Sequence, residues 1–126
     1  TDLVQALGFV QQIQRRKAVV VVISDFLDDG PWDRVMGALC QRHKVHAIVV
    51  HDAMDEGLSG LGLMEVVDAE TGRTQLVDAR KWVAKKSLDE RVRALRRLGA
   101  AASGLSTSDD AYTVLHQHFL RAGAGR

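Results

Sequence analysis

The stretch Ala18-Val19-Val20-Val21-Val22-Ile23-Ser24-Asp25 decides the fold. It holds six apolar residues in a row, β-branched at all but the first. Branching at Cβ restricts the side chain in a helix and suits an extended backbone. No polar residue alternates with the apolar ones, so the pattern predicts a strand buried on both faces, as in the middle of a parallel sheet. The run stops at Ser24-Asp25, two short polar residues at the strand's carboxyl end.

Upstream, Leu3, Leu7, Val10 and Ile13 recur at helical spacing with Ala6 beside them. They predict an amphipathic helix over 2–16 with Thr1 as N-cap. Arg15, Arg16 and Lys17 follow, where cations favour a helix C-terminus. Downstream, Asp28-Asp29-Gly30-Pro31 predicts a turn into a helix whose apolar face carries Trp32, Val35, Met36, Leu39, Cys40 and His43. A second buried-type strand spans 45–50, and a Gly-rich loop spans 51–62. Residues 63–67 and 74–77 flank Asp68-Ala69-Glu70-Thr71-Gly72-Arg73 as a hairpin.

A basic helix is expected over 79–98, with Val83, Leu88, Val92, Leu95 and Leu98 toward the core and Gly99 ending it. Residues 100–105 read as a third strand rich in small residues. Thr107-Ser108-Asp109-Asp110 has capping-box spacing and opens a last helix carrying Ala111, Leu115, His118 and Phe119. This order predicts an α/β fold of three layers, an open and mainly parallel sheet with right-handed crossovers and a small β-hairpin insertion. Such sheets place ligands outside the carboxyl ends of their strands. Those ends carry Ser24 and Asp25, His51 and Asp52, and Ser106 and Thr107.

The chain of 126 residues is long enough for one domain with a core and too short for two. A formal net charge of +1 gives no global bias toward nucleic acid or anionic membrane. The single cysteine, Cys40, rules out an internal disulfide and a cysteine metal cluster. It suits a reducing compartment, here the cytoplasm. No apolar run approaches the roughly 20 residues of a membrane-spanning helix. The start lacks signal-peptide features and opens directly into a helical pattern without an initiator methionine. We therefore expect a piece of a longer protein, which elsewhere can carry a membrane tether.

Asp25 follows an apolar strand, and Asp28 and Asp29 lie close to it. Oxygen ligands of this kind suit a hard cation such as Mg²⁺. The competing reading is that Asp25 closes a turn and that Asp28 or Asp29 caps the next helix. The five histidines lack zinc spacing: His116 and His118 do not share a helical face, and His43 and His46 flank a helix-to-strand turn. No Gly-x-Ser-x-Gly elbow exists, and Gly57, Gly60 and Gly62 do not form a phosphate loop. Lys81, Lys85, Lys86, Arg91, Arg93, Arg96 and Arg97 fit a solvated helix face, and without interleaved aromatics no nucleic-acid partner is expected.

Taken in order, Ser24-Asp25-Phe26, Asp52, Asp68 to Gly72 and Leu105 to Asp110 resemble the C-terminal half of a bacterial family of uncharacterised proteins, domain of unknown function 58. The resemblance implies a partial von Willebrand A, Rossmann-like fold over 1–126 and an association with MoxR-type AAA+ ATPases. It implies part of a metal-ion-dependent adhesion site for Mg²⁺ or Mn²⁺, with Asp25 and Thr1 as ligands. Phe26 stands where other von Willebrand A domains commonly carry Gly, and Ala53 where this family often has Pro.

On this reading the chain is a non-enzymatic protein-interaction module. Ser24, Asp52, Asp55, Ser106 and Thr107 face a MoxR-type ATPase or its client. The alternative is a metal-dependent phosphoryl-transfer or nuclease-type hydrolase using Asp25, Asp28 and Asp52, with His51 as base. A blander third reading is a structural half-domain without a ligand. The implied truncation leaves strand 19–23 without its central neighbour, so self-association through that edge is expected.

Overall fold

The computed structural model describes residues 2–53, 63–67, 74–78 and 87–124. In chain order the elements are α1 (Leu3–Ile13), β1 (Val19–Ser24), α2 (Trp32–Arg42), β2 (Lys44–His51), β3 (Leu63–Val67), β4 (Thr74–Asp78), α3 (Leu88–Arg97), β5 (Ala101–Ser106) and α4 (Ala111–Ala124). A parallel sheet runs β1-β2-β5, and β3 and β4 pair antiparallel as a separate hairpin. The register sets Val21 opposite His46 and Ile48 opposite Ser103.

Alternation along β2 divides the molecule into layers, because successive strand side chains point to opposite faces. Val45, Ala47 and Val49 join Leu3 and Leu7 of α1, Met36 and Leu39 of α2, and Val92 and Leu95 of α3 in one buried cluster. On the other face, the His46 ring meets His118 and Phe119 of α4. Helices therefore cover both sides of a parallel sheet, as expected. Two glycines make this packing close. A Cβ on Gly104 of β5 would lie 2.9 Å from Leu88 Cδ2. Gly99 turns the chain from α3 into β5 with a φ of 104°, which favours glycine.

Several expectations need correction. The apolar strand at 19–23 is not buried on both faces. Among the described residues β1 lies at a sheet edge, and Val19, Val21 and Ile23 are 62, 47 and 63% exposed. These side chains point to the α4 side of the sheet, and α4 packs over β5 instead. The doubly buried strand is β2. The first helix ends at Ile13 rather than 16, and its N-cap is Asp2, which accepts from the Gln5 N–H at 2.9 Å. Thr1 lies outside the described residues.

The basic helix begins at Leu88, after Ser87 caps it by accepting from the Glu90 N–H. Residues 79–86, with Lys81, Val83, Lys85 and Lys86, lie outside the described residues. So do Gly57, Gly60 and Gly62. The capping box at Thr107 is not used, since α4 starts at Ala111 and Asp110 accepts from the Thr113 hydroxyl at 2.6 Å.

The layers predict opposite outcomes on the two faces of the sheet. Leu39→Ala empties a fully buried position and should cost about 2–5 kcal/mol in urea unfolding. Val21→Ala on the uncovered face should cost less than about 1 kcal/mol.

Candidate functional site

Because the sheet is parallel, β1, β2 and β5 deliver their carboxyl ends to one edge. The register places Ser106 opposite His51 and Ser24 opposite Val49. The β1 end therefore sits two residues lower than the ends of β2 and β5. That stagger divides the predicted residues into two groups.

The first group stitches β2 to β5. Thr107 donates its N–H to the His51 carbonyl at 3.0 Å. Its hydroxyl donates to Asp52 Oδ1 at 3.4 Å and accepts from the Ala53 N–H at 3.3 Å. Beside it, Asp109 accepts from the Ser106 N–H at 2.9 Å, and the Ser106 and Ser108 hydroxyls lie 3.0 Å apart. Asp52 and Thr107 are exposed, so the sheet holds a carboxylate and a hydroxyl toward solvent in fixed positions. Asp55 lies outside the described residues.

The second group is the turn after β1. Asp25 is exposed, and its Oδ1 accepts from the Leu27 N–H at 3.0 Å. The Ser24 hydroxyl accepts from the Phe26 N–H at 3.1 Å. Phe26 has a φ of 54°, the left-handed region that the resemblance associates with Gly at this position. A bulky residue is strained there. Its ring is 4% exposed and packs 5.3 Å from Trp32, so burial of the ring offsets the strain. Arg91 of α3 donates to the Asp25 carbonyl and pins this turn from the side. The basic helix is thus more than a solvated face, a role that no spacing in the sequence signals.

Asp28 does not join Asp25. Its carboxylate accepts from the Leu3 N–H and the Gly30 N–H, both at 2.8 Å, and so caps α1 from 25 residues away. Those two bonds hold its pKa below the ordinary carboxylate value, against a smaller opposing effect of burial. The expectation that Asp28 or Asp29 caps the next helix is therefore replaced: α2 has Pro31 at its N-cap and no side-chain cap. Among the described residues no three His, Cys, Asp or Glu side chains gather in a way that could hold a metal ion. Asp25 supplies one carboxylate to the site, so a cation there would need ligands from elsewhere. Cys40 is half-buried, and burial raises its thiol pKa, which leaves it protonated and a poor nucleophile.

One cluster escaped the sequence reading. His46 Nδ1 lies 2.9 Å from His118 Nε2, and His118 Nδ1 lies 2.6 Å from Ser103 Oγ. In the sequence His118 stands on the last helix and His46 beside a helix-to-strand turn, with no spacing that pairs them. The available signal was that each interrupts an apolar face, His46 in β2 and His118 in α4.

Comparison with known proteins adds the following. The family model described as "Protein of unknown function DUF58" matches residues 1–97. An uncharacterized protein of Mycobacterium avium is 38% identical over 116 residues, covering 86% of this chain and 69% of the relative. Uncharacterized proteins of Mycobacterium bovis and Mycobacterium tuberculosis are each 39% identical over 71 residues, covering 56% of this chain and 22% of the relative. No solved structure matches the chain. No helix among the described residues is long and apolar enough to cross a membrane.

Asp28 gives this edge a pH signature. A depressed folded-state pKa stabilises the fold above the ordinary carboxylate value and ceases to do so as pH falls through the lower folded value. Asp28→Asn should be less stable than the parent at pH 7. The gap should narrow as pH falls below 3.8. Urea unfolding across that range reads it, and a gap that stays constant would contradict the assignment.

Proposed function

We propose a function from one premise: the chain belongs to the DUF58 family of proteins of unknown function. The carboxyl edge of the parallel sheet is a recognition surface for another protein, and the chain acts as a binding module rather than by turnover. The observation that carries this reading is the Asp52–Thr107 stitch across the ends of β2 and β5, which holds exposed polar groups in place before any partner arrives. Preorganised groups cost less ordering entropy on binding. The Asp25 turn, fixed by Arg91, extends the surface across the third strand end.

A divalent cation belongs to this reading as an addition. Mg²⁺ or Mn²⁺ would use Asp25, Thr1 and a carboxylate of the partner. The partner class that the family resemblance suggests is a MoxR-type AAA+ ATPase or its client, in the cytoplasm. The hydrolase alternative uses Asp25, Asp28 and Asp52, with two carboxylates around Mg²⁺ to activate water. Asp28 is instead engaged at the N-terminus of α1, which favours binding over hydrolysis.

The free edge of β1 supports a further part of the proposal. Its three exposed apolar side chains, and its position without a second strand neighbour among the described residues, suit self-association through strand 19–23.

Calorimetry separates the readings. On this chain alone Mg²⁺ and Mn²⁺ should bind weakly and lose that binding in Asp25→Ala, with no phosphodiesterase turnover in either protein. Turnover abolished by Asp25→Asn would overturn the module in favour of the hydrolase. In sedimentation experiments at rising concentration the parent chain should self-associate, and Val21→Lys should hold it monomeric. A parent that stays monomeric would remove the edge-pairing element.

A further inference from the structure

We propose that the recess between α3 and α4, along the outer edge of β5, is a binding site for a phosphate monoester dianion, with Arg93, Arg96 and Arg121 at its rim and Ser103 and His118 at its floor. This site is separate from the carboxyl edge and does not depend on the function proposed for it.

The recess has a volume of about 480 Å³, within the range of small-ligand sites. Among the described residues β5 lies at the sheet edge with α3 and α4 packed on opposite faces, and the recess occupies the angle between them. Among the described residues, three guanidinium groups line it against a single carboxylate, Asp89. That balance suits a ligand carrying two negative charges. Guanidinium forks match phosphate oxygens in pairs, and such charge-assisted bonds are about twice as strong as neutral ones. Arg96 is held by one edge of its guanidinium, whose Nε and one terminal nitrogen donate to the Ala102 carbonyl at 3.2 and 3.0 Å, which leaves its other terminal nitrogen for the ligand. Arg93 and Arg121 are exposed and project from the two flanking helices.

The floor is a buried relay. Ser103 Oγ lies 2.6 Å from His118 Nδ1, and His118 Nε2 lies 2.9 Å from His46 Nδ1. The imidazoles are 4 and 3% exposed. Burial foremost, then His46, Arg96 and Arg121, hold the His118 pKa below the ordinary histidine value. Neutral His118 has one ring proton for two neighbours. With that proton on Nε2 facing His46, the Ser103 hydroxyl donates to Nδ1. A dianion at Arg96 and Arg121 would offset two of the charges that oppose protonation of His118, so binding should raise its pKa. Protonated His118 then donates to Ser103, whose hydroxyl is freed to donate to the ligand.

Among the described residues no Phe, Tyr or Trp lines the recess, so these offer no stacking platform of the kind that holds single-stranded nucleic acid. A diester also presents only one charge per phosphate, against the excess of cations here. A monoester, free or on a peptide side chain, is the better match.

The test uses inorganic phosphate and phosphoserine as probes on the intact chain, read by calorimetry and by nitrogen NMR of the histidine rings. Both should bind with one site, and binding should shift His118 toward its protonated form. Arg93→Gln and Arg121→Gln, at exposed positions that leave the core intact, should each weaken binding about tenfold. Asp25→Ala at the carboxyl edge should leave it unchanged. Absence of phosphate binding would overturn the site, as would equal affinity in the arginine variants. An oligonucleotide that binds this recess where phosphoserine does not would also overturn it.

Discussion

The burial of β2 on both faces is the constraint from which the rest of the architecture follows. Val45, Ala47 and Val49 complete a core with α1, α2 and α3, while His46 and Ile48 face the opposite side, where α4 carries His118 and Phe119. A strand with two buried faces needs hydrogen-bonded neighbours on both edges and helices on both sides. β1 and β5 supply the first, and the four helices among the described residues supply the second. Parallel pairing then sends three carboxyl ends to one edge. The position of the candidate surface is thus a consequence of core packing.

Two side chains far apart in sequence convert that edge from loose loops into a fixed shape. Asp28 ties the β1–α2 turn to the start of α1, and Arg91 ties the same turn to α3. Phe26 occupies a backbone conformation that glycine would adopt more easily, yet its ring lies buried against Trp32. Local strain is tolerated there because the apolar contact of the ring outweighs it. Thr107 serves the other half of the edge by closing the ends of β2 and β5 together.

Much of this was legible in the sequence. An unbroken apolar run identified β1, a run interrupted by His46 identified β2, and small residues marked β5, while helical spacing found the buried faces of α2 and α3. Gly99 marked the end of a helix at the residue whose φ is positive. What the residues could not reveal was pairing. Val19 to Ile23 reads as a central strand by composition; its edge position among the described residues was expected only from the truncation that the family resemblance implies. Asp28 was legible as a cap, but not as the cap of a helix 25 residues earlier. The Ser103–His118–His46 relay joins three elements across 72 residues, beyond the reach of any local pattern. Spacing within a helix cannot reveal partners on another strand.

The central claim is that the strand-end surface recognises a protein partner. Its most direct measurement is the affinity of a full-length family member for a purified MoxR-type ATPase, compared with Asp52→Ala combined with Thr107→Ala. The account predicts saturable binding that falls at least about tenfold in the double variant, as loss of two held polar contacts implies. Binding unchanged by the substitutions would contradict it.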